Sequence, residues 1–152
     1  MTSKRNAVAA LLGTAIAATA LTAAATPAGA DVPAKPAKPT VVLVHGAFAD
    51  ASSWNGVVQR LQHDGYKVIA PANPLRSLAG DTASIAALLK TIEGPIILAG
   101  HSYGSQVATN AARGNANVKA LVSVAGFLPD VGESAATLSG KFPGSTLGPT
   151  LT

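Results

Sequence analysis

The sequence predicts an α/β fold: a three-layer sandwich around a mostly parallel sheet of four strands. Three observations predict it. Short apolar, largely β-branched runs recur at residues 40–44, 66–70, 96–99 and 118–125. Segments with apolar residues at helical spacing lie between them. The runs are continuous rather than alternating, as in parallel strands covered on both faces. Strands alternating with helices join through right-handed crossovers into one parallel sheet.

Before the first strand, Lys4 and Arg5 precede an uncharged, alanine-rich run, and Ala28-Gly29-Ala30 stands ahead of Asp31. A basic start, an apolar centre and a small-x-small cleavage site make residues 1–30 a secretory signal peptide. The alternative, an uncleaved anchor, fits poorly with a run dominated by alanine and threonine. The product is expected to be extracellular, with no stable membrane insertion after cleavage. Removing the leader takes away Lys4 and Arg5 and no acid, so the formal charge falls from +4 to +2. The remaining basic residues stand singly, which argues against nucleic acid as a partner. With no cysteine in an exported chain, the fold must rest on its core. A composition 48% hydrophobic and 12% charged is that of a globular chain able to build one.

Residues 31–39 carry Pro33, Pro36 and Pro39 among Ala and Lys and read as an extended linker. The domain then runs over 40–152. Its first strand ends in His45-Gly46-Ala47-Phe48, a loop at the carboxyl edge, where open α/β sheets bind ligands. Ser52 or Ser53 is the expected cap of the first helix, and Trp54, Val57, Val58 and Leu61 form its apolar face. Gly65 ends that helix, and the second strand follows. Asp81 is the expected cap of the next helix, with Ile85, Leu88, Leu89 and Ile92 as its stripe, broken by Gly94-Pro95. The third strand leads into Gly100-His101-Ser102-Tyr103-Gly104 and a helix over 105–113. After the fourth strand, from about residue 127, the chain is rich in Gly, Ser, Thr and Pro, and no strand or long helix is evident.

A strand that turns into a helix through Gly-x-Ser-x-Gly has the form of a nucleophile elbow. The turn strains the backbone at the serine. Gly100 and Gly104 lack a Cβ where strand and helix nearly touch. The alternative is a serine that merely caps the helix.

With Val41-Val42-Leu43-Val44-His45-Gly46 ahead of that elbow, the chain resembles the α/β-hydrolase fold. Ser53-Trp54 and Leu128-Pro129-Asp130 make it most similar to the branch of plant methyl esterases and hydroxynitrile lyases, over residues 40 to about 135. The resemblance implies Ser102 as nucleophile and the backbone N–H groups of Ala47 and Tyr103 as oxyanion donors. His45, Gly46, Gly100, His101 and Gly104 would support the elbow and the oxyanion loop. Residues from about 127 would begin a cap. The implied partner is a small-molecule ester, hydrolysed through an acyl-enzyme.

A serine needs a base. In such folds the order is Ser, then Asp or Glu, then His, yet His45, His63 and His101 all precede or adjoin Ser102 and none follows it. His45 reads as part of the oxyanion loop, His63 as solvated, and His101 as turned away from the serine. Asp130 reads as a loop residue. The economical reading is a chain that stops before the acid and histidine. Two alternatives remain open: a secreted, inactive binding protein, and a hydroxynitrile lyase-like enzyme using the same constellation. No cofactor is expected, since Gly-x-Gly-x-x-Gly and Gly-Lys-Ser/Thr are absent. No metal is expected, since three isolated histidines lack ligand spacing.

Overall fold

A computed structural model describes residues 37–146 and Thr150. The expected leader and residues 31–36 of the expected linker lie outside the described residues.

The central strand β1 (Thr40–Val44) is buried along its whole length. It pairs in parallel with β2 (Val68–Ile69) on one side and β3 (Ile96–His101) on the other, and β3 pairs in parallel with β4 (Val118–Val124). The order is β2-β1-β3-β4. β2 is two residues long where the sequence predicts 66–70, because it is an edge strand and only Val68 and Ile69 find partners on β1. Successive side chains of a strand point to opposite faces, and this splits the core in two. On one face Val42, Val44, Ile96 and Leu98 pack with Ile85 and Leu89 of α2 (Leu78–Lys90) and with Val107, Ala108 and Ala111 of α3 (Tyr103–Ala111). On the other face Val41, Leu43 and Ala99 pack with Trp54, and Val58 and Leu61 of α1 (Asn55–His63) lean against them. These are the three predicted layers.

Two helix starts differ from the sequence reading. A 3₁₀ turn, Ala51–Trp54, precedes α1, and its cap is Asp50, not Ser52 or Ser53. Both serines act as donors instead: Ser52 Oγ donates to Asp50 Oδ1 (2.5 Å) and Ser53 Oγ to the Asp50 carbonyl (2.7 Å). The tighter turn also shifts the phase of Trp54 relative to α1. Trp54 is therefore buried, whereas Val57, expected on the same face, is exposed. α2 begins at Leu78 with Ser77 as cap, its hydroxyl accepting from Gly80 N–H (3.1 Å). Asp81, the expected cap, lies inside the first turn and is fully buried.

Beyond β4 a five-residue helix, α4 (Ala135–Ser139), is held by a capping box of Ser134 and Thr137. No described helix is long and apolar enough to cross a membrane.

Candidate active site

β3 delivers the chain to the carboxyl edge of the sheet at His101, and α3 starts two residues later at Tyr103. Ser102 makes the turn alone, at φ 53° and ψ −124°. A non-glycine residue there is strained, and such strain persists only where the surroundings over-determine it. Here they do. Ser102 N–H donates to the Val124 carbonyl (3.0 Å), and its own carbonyl accepts from Ser105 N–H (2.9 Å). Its side chain makes no capping bond to α3, so the serine is not there as a helix cap.

The flanking glycines are required by contact. A Cβ on Gly100 would lie 2.3 Å from the Gly104 carbonyl oxygen, and one on Gly104 would lie 2.4 Å from that of Val44. β1, β3 and α3 therefore meet at a backbone-to-backbone approach that no side chain can enter. The loop after β1 presses on the same point: a Cβ on Gly46 would lie 3.2 Å from Ser102 Cβ. His45-Gly46-Ala47 is thus brought beside the elbow. Tyr103 opens α3, so its N–H is among those without a partner inside the helix.

His45 is buried and committed on both ring nitrogens. Nε2 accepts from Asn73 N–H (2.9 Å), and Nδ1 lies 2.9 Å from the Gly46 carbonyl. An acceptor at Nε2 fixes the proton on Nδ1, which donates to Gly46. Neither nitrogen is left to serve as a base. His63 is exposed and bonds Asp64 (3.3 Å). The His101 ring packs edge-on to Trp54, centroids 6.5 Å apart. Asp130 sits in a turn closed by Glu133 N–H to its carbonyl (3.0 Å). Among the described residues no group of three His, Cys, Asp or Glu side chains is arranged to hold a metal ion.

Five hydrogen bonds around the elbow, centred on three residues, escaped the sequence reading. Ser105, buried in α3, donates its hydroxyl to the Gly100 carbonyl (2.8 Å) and accepts from Ser123 Oγ of β4 (3.0 Å). Asn73 grips His45, donating from Nδ2 to its carbonyl (3.3 Å) as well as from its backbone N–H. Asp81 Oδ2 accepts from Tyr103 Oη at 2.8 Å. The signal for Asp81 was present in the sequence: it lies four residues before Ile85, on the stripe that faces the core. A carboxylate there must be paired.

The Asp81–Tyr103 bond has titration consequences. Burial pushes the Asp81 carboxyl up. Hydrogen bonds from Arg76 N–H, Tyr103 Oη and the Ser77 and Leu75 backbone outweigh burial and leave it below its ordinary value. The Tyr103 phenol is pushed up to about 12 by burial, the bond to Asp81 and the Asp81 charge. The two contributions to stability have opposite signs. That of Asp81 is present above the ordinary carboxylate range and is lost as pH falls through its lowered value. That of Tyr103 is complete below the ordinary 10.0 and is lost as pH rises toward about 12. An ultraviolet titration should therefore show one phenolate forming near pH 12, and Tyr103→Phe should remove it. A Tyr103 phenolate forming near pH 10 would show that the bond to Asp81 does not hold in solution.

The model of the alpha/beta hydrolase family matches residues 41–150. Over 113 residues the chain is 28% identical to the carbendazim hydrolyzing esterase of Nocardioides sp. (strain SG-4G), covering 66% of this chain and 47% of that protein. An extracellular alpha/beta-hydrolase from a Paenibacillus species, which shares structural and functional homology to Tobacco Salicylic Acid Binding Protein 2, superposes with a TM-score of 0.61 at 25% identity. It covers 74% of this chain and 49% of its own. A pyrethroid hydrolase from Sphingobium faniae JZ-2 superposes with a TM-score of 0.51 at 27% identity, over 58% of this chain and 40% of its own. The chain spans about half the length of these relatives or less. The family match runs from Val41 in β1 to beyond α4, and on that ground the chain belongs to the alpha/beta hydrolase family.

Proposed function

We propose that this chain carries the nucleophile half of an exported carboxylic ester hydrolase that works through an acyl-enzyme on Ser102. The observation that carries the reading is the conformation of Ser102: a strained turn at the carboxyl edge of the sheet, with a hydroxyl not spent on capping α3. Attack of Ser102 Oγ on an ester carbonyl forms a tetrahedral oxyanion. The N–H groups of Ala47 and Tyr103 are its donors, each worth roughly 10²–10³ in rate. Collapse expels the alcohol, which takes the serine's proton, and water then releases the acid. Full turnover needs a histidine base and its carboxylate, and no histidine follows Ser102 in these 152 residues. Without that base, oxyanion stabilisation and binding leave at best about 10³–10⁴ over the reaction in water. Esters as the substrate class are supported by the esterase and pyrethroid hydrolase relatives.

A fluorophosphonate probe tests this, with the protein's mass read before and after. The exported chain is expected to begin at Asp31 and to gain one adduct on Ser102, slowly, and faster with added imidazole as a surrogate base. Ser102→Ala should gain none. An adduct that persists in Ser102→Ala would overturn the assignment. The second reading, an exported binding protein without turnover, is favoured by the commitment of both His45 ring nitrogens to Asn73 and Gly46. It predicts no adduct even with imidazole.

A further inference from the structure

The loop between β2 and α2 bonds directly to the first segment to which an oxyanion donor was assigned and is linked to the second through Asp81 of α2, although neither segment is near it in sequence. At one end Asn73, buried, holds His45 by two bonds: backbone N–H to Nε2 (2.9 Å) and Nδ2 to the carbonyl (3.3 Å). At the other end Arg76 N–H donates to Asp81 Oδ1 (3.1 Å), while Oδ2 of the same carboxylate accepts from Tyr103 Oη (2.8 Å). Asp81 is completely buried, so its two oxygens act as a fixed relay between the loop and the first residue of α3.

Only Pro74 and Leu75 separate the two grips. Proline fixes its own φ. Leu75 sits at φ 56°, a conformation a bulky side chain does not choose freely. A stiff dipeptide with a strained leucine persists when both its ends are held. The loop therefore spans a set distance, with His45-Gly46-Ala47 on one side and Ser102-Tyr103 on the other.

We propose that Asn73 and Asp81 are positioning residues, and that the loop from Asn73 to Arg76 is a brace setting the separation of the Ala47 and Tyr103 N–H groups. The inference rests on the reading of those groups as oxyanion donors. The physical need is plain. Donors must lie about 2.7–3.1 Å from the oxyanion, and a 1 Å misplacement can cost about 10² in rate. The β1–β3 pairing and the contact of Gly46 with Ser102 bring the two segments together, but Ala47 lies beyond that contact in a loop, and the brace holds the loop from its other side.

The test compares the parent chain with Tyr103→Phe, Asn73→Ala and Leu75→Gly. Hydrogen exchange is read at the peptides containing Ala47 and Tyr103, together with fluorophosphonate labelling and thermal melting. Tyr103→Phe is expected to speed exchange about tenfold at its own turn and also at the Ala47 loop, which it does not touch. Asn73→Ala should do the converse. Leu75→Gly is the decisive variant, because relief of a strained φ leaves thermal stability level or raises it. If the loop is a brace, Leu75→Gly still speeds exchange at both donor segments. It should also lower the bond-forming step of labelling about 10–100-fold, with probe affinity within about twofold. Exchange that stays local in each variant, with Leu75→Gly silent at both segments, would overturn the brace. Coupled exchange in a parent whose Ser102 takes no label would instead uphold the brace and overturn the nucleophile assignment.

Discussion

Gly104→Ala is expected to abolish folding of the domain rather than merely slow its chemistry. The added Cβ would lie 2.4 Å from the Val44 carbonyl oxygen and 2.6 Å from that of His45. Both belong to the backbone of β1 or the residue just after it, in the centre of the sheet, so nothing flexible can yield. Gly100→Ala meets the same limit from the other side, at 2.5 Å from Ser105 N. Forcing backbone apart there opens the β1–β3 pairing and lifts α3 off the core formed by Val107, Ala108 and Ala111. A cost of about 5 kcal/mol or more is expected for either change, comparable to the total margin of roughly 5–15 kcal/mol. Gly56 supplies the contrast. It lies in α1 with nothing within 4 Å of its Cβ position, so Gly56→Ala should stabilise by about 0.5–1 kcal/mol. Denaturation midpoints of the three variants check this. A Gly104→Ala protein with a parent-like midpoint would show that strand and helix do not approach as described.

That close approach was legible from sequence because strand, turn and helix are contiguous. The glycines at 100 and 104 bracket a serine between an apolar run and a helical pattern. The parallel sheet was legible for a similar reason, since β-branched runs separated by helices join through crossovers of one hand. What the sequence hid was long-range or a matter of phase. Asn73 and His45 are 28 residues apart, and nothing in either neighbourhood marks the other. For Asp81 the inward-facing position was marked by its spacing from Ile85, but the residue also satisfied the local rule for a cap, which Ser77 fills instead, and its partner Tyr103 lies 22 residues away. Val57 sat at the right spacing from Trp54 for a single helix, but a 3₁₀ turn intervenes. The crowding at Gly126, where a Cβ would fall 2.3 Å from Ser105 Oγ, appears only when the end of β4 is folded over α3.

The chain of residues 31–152 is expected to self-associate as its concentration rises, and a single charge on β4 should suppress this. Among the described residues β4 pairs only with β3, and from Lys119 to Val124 every residue is exposed. Leu121, Val122 and Val124 are 49%, 45% and 42% exposed, where parallel strands are ordinarily covered on both faces. A groove of about 310 Å³ between α3 and β4, lined by Ala108, Leu121, Val122 and Leu128, adds to the uncovered apolar surface. Protection exists at one end only. The register skips a residue between Val118 and Ala120, so Lys119 forms a bulge there, and bulges and lysines both discourage edge pairing. The apolar stretch from Ala120 to Val124 has neither. Burying it in another copy gains about 25 cal/mol per Å² of apolar surface. The site is exposed to this edge, because the Val124 carbonyl takes the Ser102 N–H and holds the strained turn. Val122→Lys places a charge at the middle of the stretch. It is expected to raise the concentration at which large species appear in light scattering by about tenfold or more, with the rate of Ser102 labelling unchanged in the monomer. A parent chain that stays monomeric over the same range would show that the β4 edge is covered in solution.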